Sequence, residues 1–198
     1  MTVVDSQITV RAIVVKTVVT HTVTYFCAGI AAYSLFDYPT LIAETELGLL
    51  MRPLRDPLIV AGPLLQPIRG ALFGAVFYAL RDAFFLRRHG WLLLWAVLVS
   101  IGILGTFGGP AGSIEGVIYT VLPLSLHMTL LPEILVQSLL LSWLLFHWVN
   151  HPEKKWLNWT MGTAFVLVLL LPALGLVAIA RGMSIGSLNT GTIRNFMP

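Results

Sequence analysis

From Leu157 to Ala180 the chain runs for 24 residues without a charged side chain, and from Trp91 to Leu131 it carries only Glu115. About 20 apolar residues suffice to cross the hydrocarbon core of a bilayer as a helix. A soluble domain is roughly 25% charged, whereas this chain is 11% charged and 57% hydrophobic. The expected class is all-α: a polytopic integral membrane helical bundle, with residues 1–198 forming a single transmembrane domain.

Breaks in the apolar pattern divide the chain into five expected transmembrane helices plus a broken or re-entrant segment. The first span covers Ile13 to Phe36 and stops at Asp37, Tyr38 and Pro39, because proline cannot continue the helical ladder. The residues before it lack a basic leader and a small-residue cleavage pattern, so it reads as a retained helix. In the following polar interval, LIAETELGLLM forms a short interfacial helix ended by Pro53, or dips back into the protein. The second span runs from Pro63 to Leu86, with Pro63 and Pro67 in its first turn, where a missing amide donor costs little. The third runs from Trp91 to Phe107, before the turn-forming GGPAGS.

Ser113 is expected to cap a helix at Ile114, with Glu115 favoured in its first turn. Pro123 interrupts that helix, and Pro132 with Glu133 marks another start. Residues 113–131 therefore read as the broken segment, with 132–149 as the fourth span; a full crossing at 113–131 is the six-span alternative. Trp159 to Ala180 is the last span, with Gly175 and Ala178 small enough for close packing.

The 12 Lys and Arg against 9 Asp and Glu do not indicate nucleic acid. They fall in pairs beside apolar segments (Arg52 with Arg55, Arg87 with Arg88, Lys154 with Lys155), as topology signals do, and no nucleic-acid motif accompanies them. Their distribution favours a cytoplasmic N-terminus in a plasma or bacterial inner membrane. The aromatic and basic NHPEKKWLNW segment reads as an interfacial belt, with membrane lipids as partners. The single cysteine, Cys27, reads as a small buried side chain.

Polar residues at membrane depth are the candidates for function, because each is costly there unless paired or placed in a cavity. His21 and Tyr25 are four residues apart and share a helical face with Thr17; a hydroxyl partner for His21 is the structural explanation. Arg69 and Arg81 lie about 18 Å apart along a helix and roughly 120° around it, so they do not form one groove. Arg69 is expected one turn inside its span, paired with an acid from residues 37–56, or with a bound anion or lipid phosphate. Asp82 is expected to bond Tyr78, leaving Arg81 to pair elsewhere. His127 and Glu133 are brought together if Pro132 breaks the chain. The candidate substrate-binding set is thus His21, Tyr25, Arg69, Arg81, His127 and Glu133.

No cofactor fingerprint, phosphate-binding loop or nucleophile elbow appears, and no histidine spacing matches a metal motif. The sequence favours a small permease-like transporter for a small polar or anionic solute. A non-catalytic membrane subunit with a protein partner, and a membrane enzyme acting on lipid or isoprenoid, are the alternatives.

Overall fold

The computed structural model describes residues 9–104 and 111–181. All regular elements among them are helical: α1 (Val10–Leu35), α2 (Tyr38–Glu44), α3 (Leu47–Leu50), α4 (Pro57–Ala79), α5 (Arg81–Phe84), α6 (Gly90–Val99), α7 (Ile114–Tyr119), α8 (Leu124–Asn150) and α9 (Lys155–Ala180). A π-helical segment, Ser100–Leu104, continues α6. Four helices, α1, α4, α8 and α9, are long and apolar enough to cross a membrane. The protein is thus an all-α, membrane-embedded helical protein, consistent with a polytopic bundle.

Among the described residues the count is four, against the expected five or six. The third apolar segment is a shorter helix, Gly90–Leu104, about 22 Å long at 1.5 Å per residue. Residues 105–107, expected to complete it, lie outside the described residues, as do Gly108, Gly109 and Pro110 of the following turn.

Helix α4 starts six residues earlier than expected. Asp56 caps it, accepting from the amide of Leu58 at 2.8 Å, and Pro57 occupies the first turn. Pro63 and Pro67 therefore lie inside the helix. The polar interval before it forms two helices separated at Thr45–Glu46, not one. Leu47 of α3 is buried against Leu122 and Leu126, docking this interval onto the start of α8.

The broken segment is real but ends sooner than expected. Ser113 caps α7 through its Oγ, which accepts from Gly116 N at 2.9 Å, and Thr120 returns the chain to extended backbone. Helix α8 then begins at Leu124 and passes through Pro132 without interruption. Membrane helices tolerate an internal proline where neighbouring groups satisfy the freed backbone. The span expected at 132–149 is therefore the second part of a 27-residue helix.

Helices α1 and α4 pack more closely than ordinary side chains permit. A Cβ on Gly70 would stand 2.8 Å from Val18 Cα, and one on Gly74 would stand 2.8 Å from Val14 Cα. Gly70 and Gly74 form a GxxxG face, which lets two backbones approach and gain dispersion contacts in lipid. The pairing Gly74–Val14 and Gly70–Val18 also sets α4 antiparallel to α1. Gly175 of α9 meets Val60 of α4 in a similar, looser contact, with a Cβ 3.2 Å from Val60 Cγ1. Around Ile13, a core of Phe77, Phe84, Phe85, Leu94, Leu145 and Val149 joins α1, α4, α6 and α8 at one end.

At that end Lys16 donates from Nζ to the carbonyl oxygen of Trp148 at 2.7 Å and lies 5.6 Å from its ring centroid. That carbonyl belongs to the last turn of α8, whose oxygens have no intrahelical donor. Trp148 in turn donates from its indole to Asn158 at 2.6 Å, linking α8 to α9. Cys27 is exposed on α1, not buried.

Candidate functional site

Two cavities flank Ile134 of α8, which lines both. The larger, of about 980 Å³, lies between α1, the α2–α3 interval, the start of α4 and α8. Its walls are apolar except for Tyr25, Tyr33, Tyr38 and Glu133. The smaller, of about 380 Å³, is a half-open cleft bounded by α1, α4, α5, α6 with its π segment, and α8, with Arg69 at its exposed side. Its polar lining is His21, Arg69, Gln137 and Ser138, set among Phe73, Val76, Phe77 and other apolar side chains.

His21 is placed by the close α1–α4 contact. Its Nε2 donates to Gln66 Oε1 at 3.2 Å, and Gln66 donates to Gly62 O at 3.2 Å. Gln66, not the expected hydroxyl, is therefore the partner of His21. The edge of His21 meets the Phe73 ring at 5.1 Å, and its ring lies 6.2 Å from that of Tyr25. His21 Nδ1, Thr17 Oγ1 and Thr20 Oγ1 are buried without a hydrogen-bond partner among the described residues. A buried polar atom left unpaired costs about 1–3 kcal/mol, so α1 carries unused hydrogen-bonding capacity inside the bundle.

Arg69 is deeper than the sequence suggested. With α4 beginning at Pro57, it lies near the middle of a 23-residue helix, about 18 Å from one end. Its guanidinium sits 5.4 Å from the Phe73 ring centroid. Only two ion pairs occur among the described residues, Arg52–Asp56 and Arg81–Asp82, and neither involves Arg69. The acid expected from residues 37–56 is absent from its side. Cation–π contact contributes about 0.5–2 kcal/mol, against an insertion cost of about 3 kcal/mol for a central arginine.

Arg81 is organised locally. Its guanidinium lies 4.6 Å from the Tyr78 ring centroid, donates to Tyr78 O at 3.3 Å and pairs with Asp82 at 3.7 Å. Asp82 thus pairs with Arg81 and not, as expected, with Tyr78. Arg81 lines neither cavity.

Because α8 is continuous through Pro132, His127 and Glu133 stand about 9 Å apart along the axis and roughly 120° around it. They do not converge. His127 is buried and its Nδ1 accepts from Gly112 N at 3.0 Å, which fixes the turn before α7 where Gly112 has φ +85°. Glu133 instead accepts a hydrogen bond from the Tyr38 hydroxyl of α2. Burial, and then the adjacent Glu133 carboxylate, push the Tyr38 phenol well above its ordinary range, so it remains a donor.

The structure therefore gathers His21 and Arg69 in one cavity and Tyr25 and Glu133 in the other, and places Arg81 and His127 in neither. Tyr33, Tyr38 and Gln66 were not anticipated as site residues. The i,i+4 spacing of Gln66 and Gly70 on α4 was the available signal for Gln66. Among the described residues no group of three His, Cys, Asp or Glu side chains is placed to hold a metal. Comparison with protein-family models, with characterised proteins and with solved structures finds no match for this chain.

Proposed function

We propose that this is a permease-like membrane protein whose smaller cavity binds a small organic anion in transit. The observation that carries the reading is Arg69: a guanidinium near the centre of an apolar helix, without an acidic partner among the described residues, facing a cavity of about 380 Å³. A planar fork at that depth matches a carboxylate in a bidentate pair. The apolar walls favour a carboxylate carried on a small apolar body over a fully hydrated inorganic ion. His21, whose Nε2 donates to Gln66, leaves Nδ1 as an unpartnered acceptor among the described residues, suited to a donor group on the body of the solute and not to its carboxylate. A π-helical turn at Ser100–Leu104 contributes Ile101 and Gly102 to the wall; such turns recur at functional sites.

The pairing of α1 with α4 and of Lys16 with Trp148 gathers Lys16, Arg81 and Lys154 toward one end of the bundle, with Arg52, Arg55 and Arg181 toward the other. The first end carries Arg87 and Arg88 as well, which supports a cytoplasmic N-terminus by the positive-inside rule.

The test is uptake of radiolabelled benzoate into proteoliposomes, normalised to folded protein. Arg69→Ala should abolish saturable uptake, and Arg69→Lys should restore only part of it, because lysine keeps the charge but not the fork. Equal uptake per folded molecule for all three proteins rejects the reading.

The subunit alternative is favoured by one feature. Helix α9 exposes Val166, Leu167, Leu170, Leu171 and Leu174, a broad apolar surface that a partner helix would cover as well as lipid does. Absence of uptake by the isolated protein, with recovery when it is purified in association with a second membrane protein, supports that alternative.

A further inference from the structure

We infer that the larger cavity is a binding site for an amphipathic organic cation, an amine or quaternary ammonium on an apolar body, held by Glu133 and the rings of Tyr33 and Tyr38. The inference stands independently of the organic-anion site. A volume of about 980 Å³ lies within the range of pockets that enclose organic ligands. The one charged side chain lining it is Glu133, and among the described residues no lysine or arginine lines it. The sign of the complement is therefore positive.

Glu133 is incompletely satisfied. Tyr38 donates to its Oε2, while its Oε1 has no hydrogen-bond partner among the described residues. A carboxylate within a membrane helix requires a partner of opposite charge or a polar cavity, and an ammonium in this space supplies the first. The Tyr33 and Tyr38 rings stand 6.4 Å apart at 59° to each other, making two inclined aromatic walls. Aromatic faces attract a desolvated ammonium through their quadrupoles, and alkylated ammonium groups suit such walls. An inorganic divalent cation fits poorly, because calcium and magnesium demand about six oxygen ligands and the rest of the lining is chiefly aliphatic. Met51, Leu58 and Ile59 provide surface for the apolar body.

The decisive measurement is calorimetric titration of the full chain in neutral maltoside micelles with phenylbutyl-trimethylammonium and with its uncharged tert-butyl isostere. The charged probe should bind at least about tenfold more tightly, a difference of about 1.4 kcal/mol. Glu133→Gln should erase that preference, and Glu133→Asp should retain part of it. Equal affinity for the two probes would show an apolar or acyl-chain cavity and overturn the inference, as would a charge preference that survives in Glu133→Gln or no saturable binding of either probe. Should Glu133→Gln fail to fold, Tyr33 decides: at 45% exposure it tolerates replacement. Tyr33→Phe should then keep the charge preference, and Tyr33→Leu should reduce it about fivefold. A Leu variant with unchanged preference rejects the site.

Discussion

Gly70 of α4 rests against Val18 of α1 so closely that a single methyl group would stand 2.8 Å from the Val18 Cα. The contact involves backbone, so neither helix can relieve it by rotating a side chain. Gly70→Ala and Gly74→Ala should each force the helices apart and cost about 1–3 kcal/mol by overpacking. Gly162→Ala on α9, where a Cβ meets nothing within 4 Å, should be neutral or slightly stabilising. Thermal unfolding of the three variants in one detergent measures the contrast.

Lys16 acts as an inter-helix cap for α8 through Trp148 O. Lys16→Met keeps the length of the side chain but loses both the hydrogen bond and the cation–π contact, and should destabilise by about 1–2 kcal/mol. A lysine that merely reached for the interface would give the opposite sign, since methionine is cheaper to insert. Denaturant midpoints in mixed micelles separate the two outcomes.

His127→Ala should leave the buried Gly112 amide without its acceptor, at a cost of about 1–3 kcal/mol. Hydrogen exchange should then accelerate at Gly112 and through α7, while Glu133, on another face of α8, keeps its bond to Tyr38. Simultaneous loss of the Tyr38–Glu133 contact, seen as a change in tyrosine ultraviolet absorbance, contradicts this separation.

Asp56 gives a pH dependence with a defined sign. The Leu58 amide, aided by Arg52 at 3.2 Å, holds its carboxyl below the ordinary value. A depressed folded-state pKa contributes stability that is complete above the unfolded value, about 3.9, and is lost as pH falls through the folded value. Asparagine caps α4 without titrating. The stability difference between the wild type and Asp56→Asn should therefore be constant near neutrality and shrink from about pH 4 downward. A difference that grows on acidification would refute the assignment.

Long uncharged runs made the apolar helices legible, since a charge-free segment of bilayer length has few other uses. Helix ends were less visible. The start of α4 depended on choosing among Pro57, Pro63 and Pro67, all compatible with a first turn locally, and Asp56 decided it only through its bond to Leu58. Proline is a weaker punctuator in lipid, and Pro132 consequently marked no boundary. The shared face of His21 and Tyr25 followed from spacing. Tyr38 and Glu133, 95 residues apart, carried no such signal. The sequence singled out Arg69, but its mid-helix depth and its lack of an acidic partner among the described residues are properties of the packed helices.

The mid-helix position of Arg69 has an electrical consequence. One elementary charge carried across the full membrane potential is worth about 2.3 kcal/mol per 100 mV. A monovalent anion reaching Arg69 from either side crosses about half of that drop, or about 1.1 kcal/mol per 100 mV. Its occupancy should change roughly sixfold for each 100 mV, so that a proteoliposome clamped at opposite polarities fills the site to different extents from the same bath. The voltage dependence would belong to the depth of the guanidinium and would require no moving part.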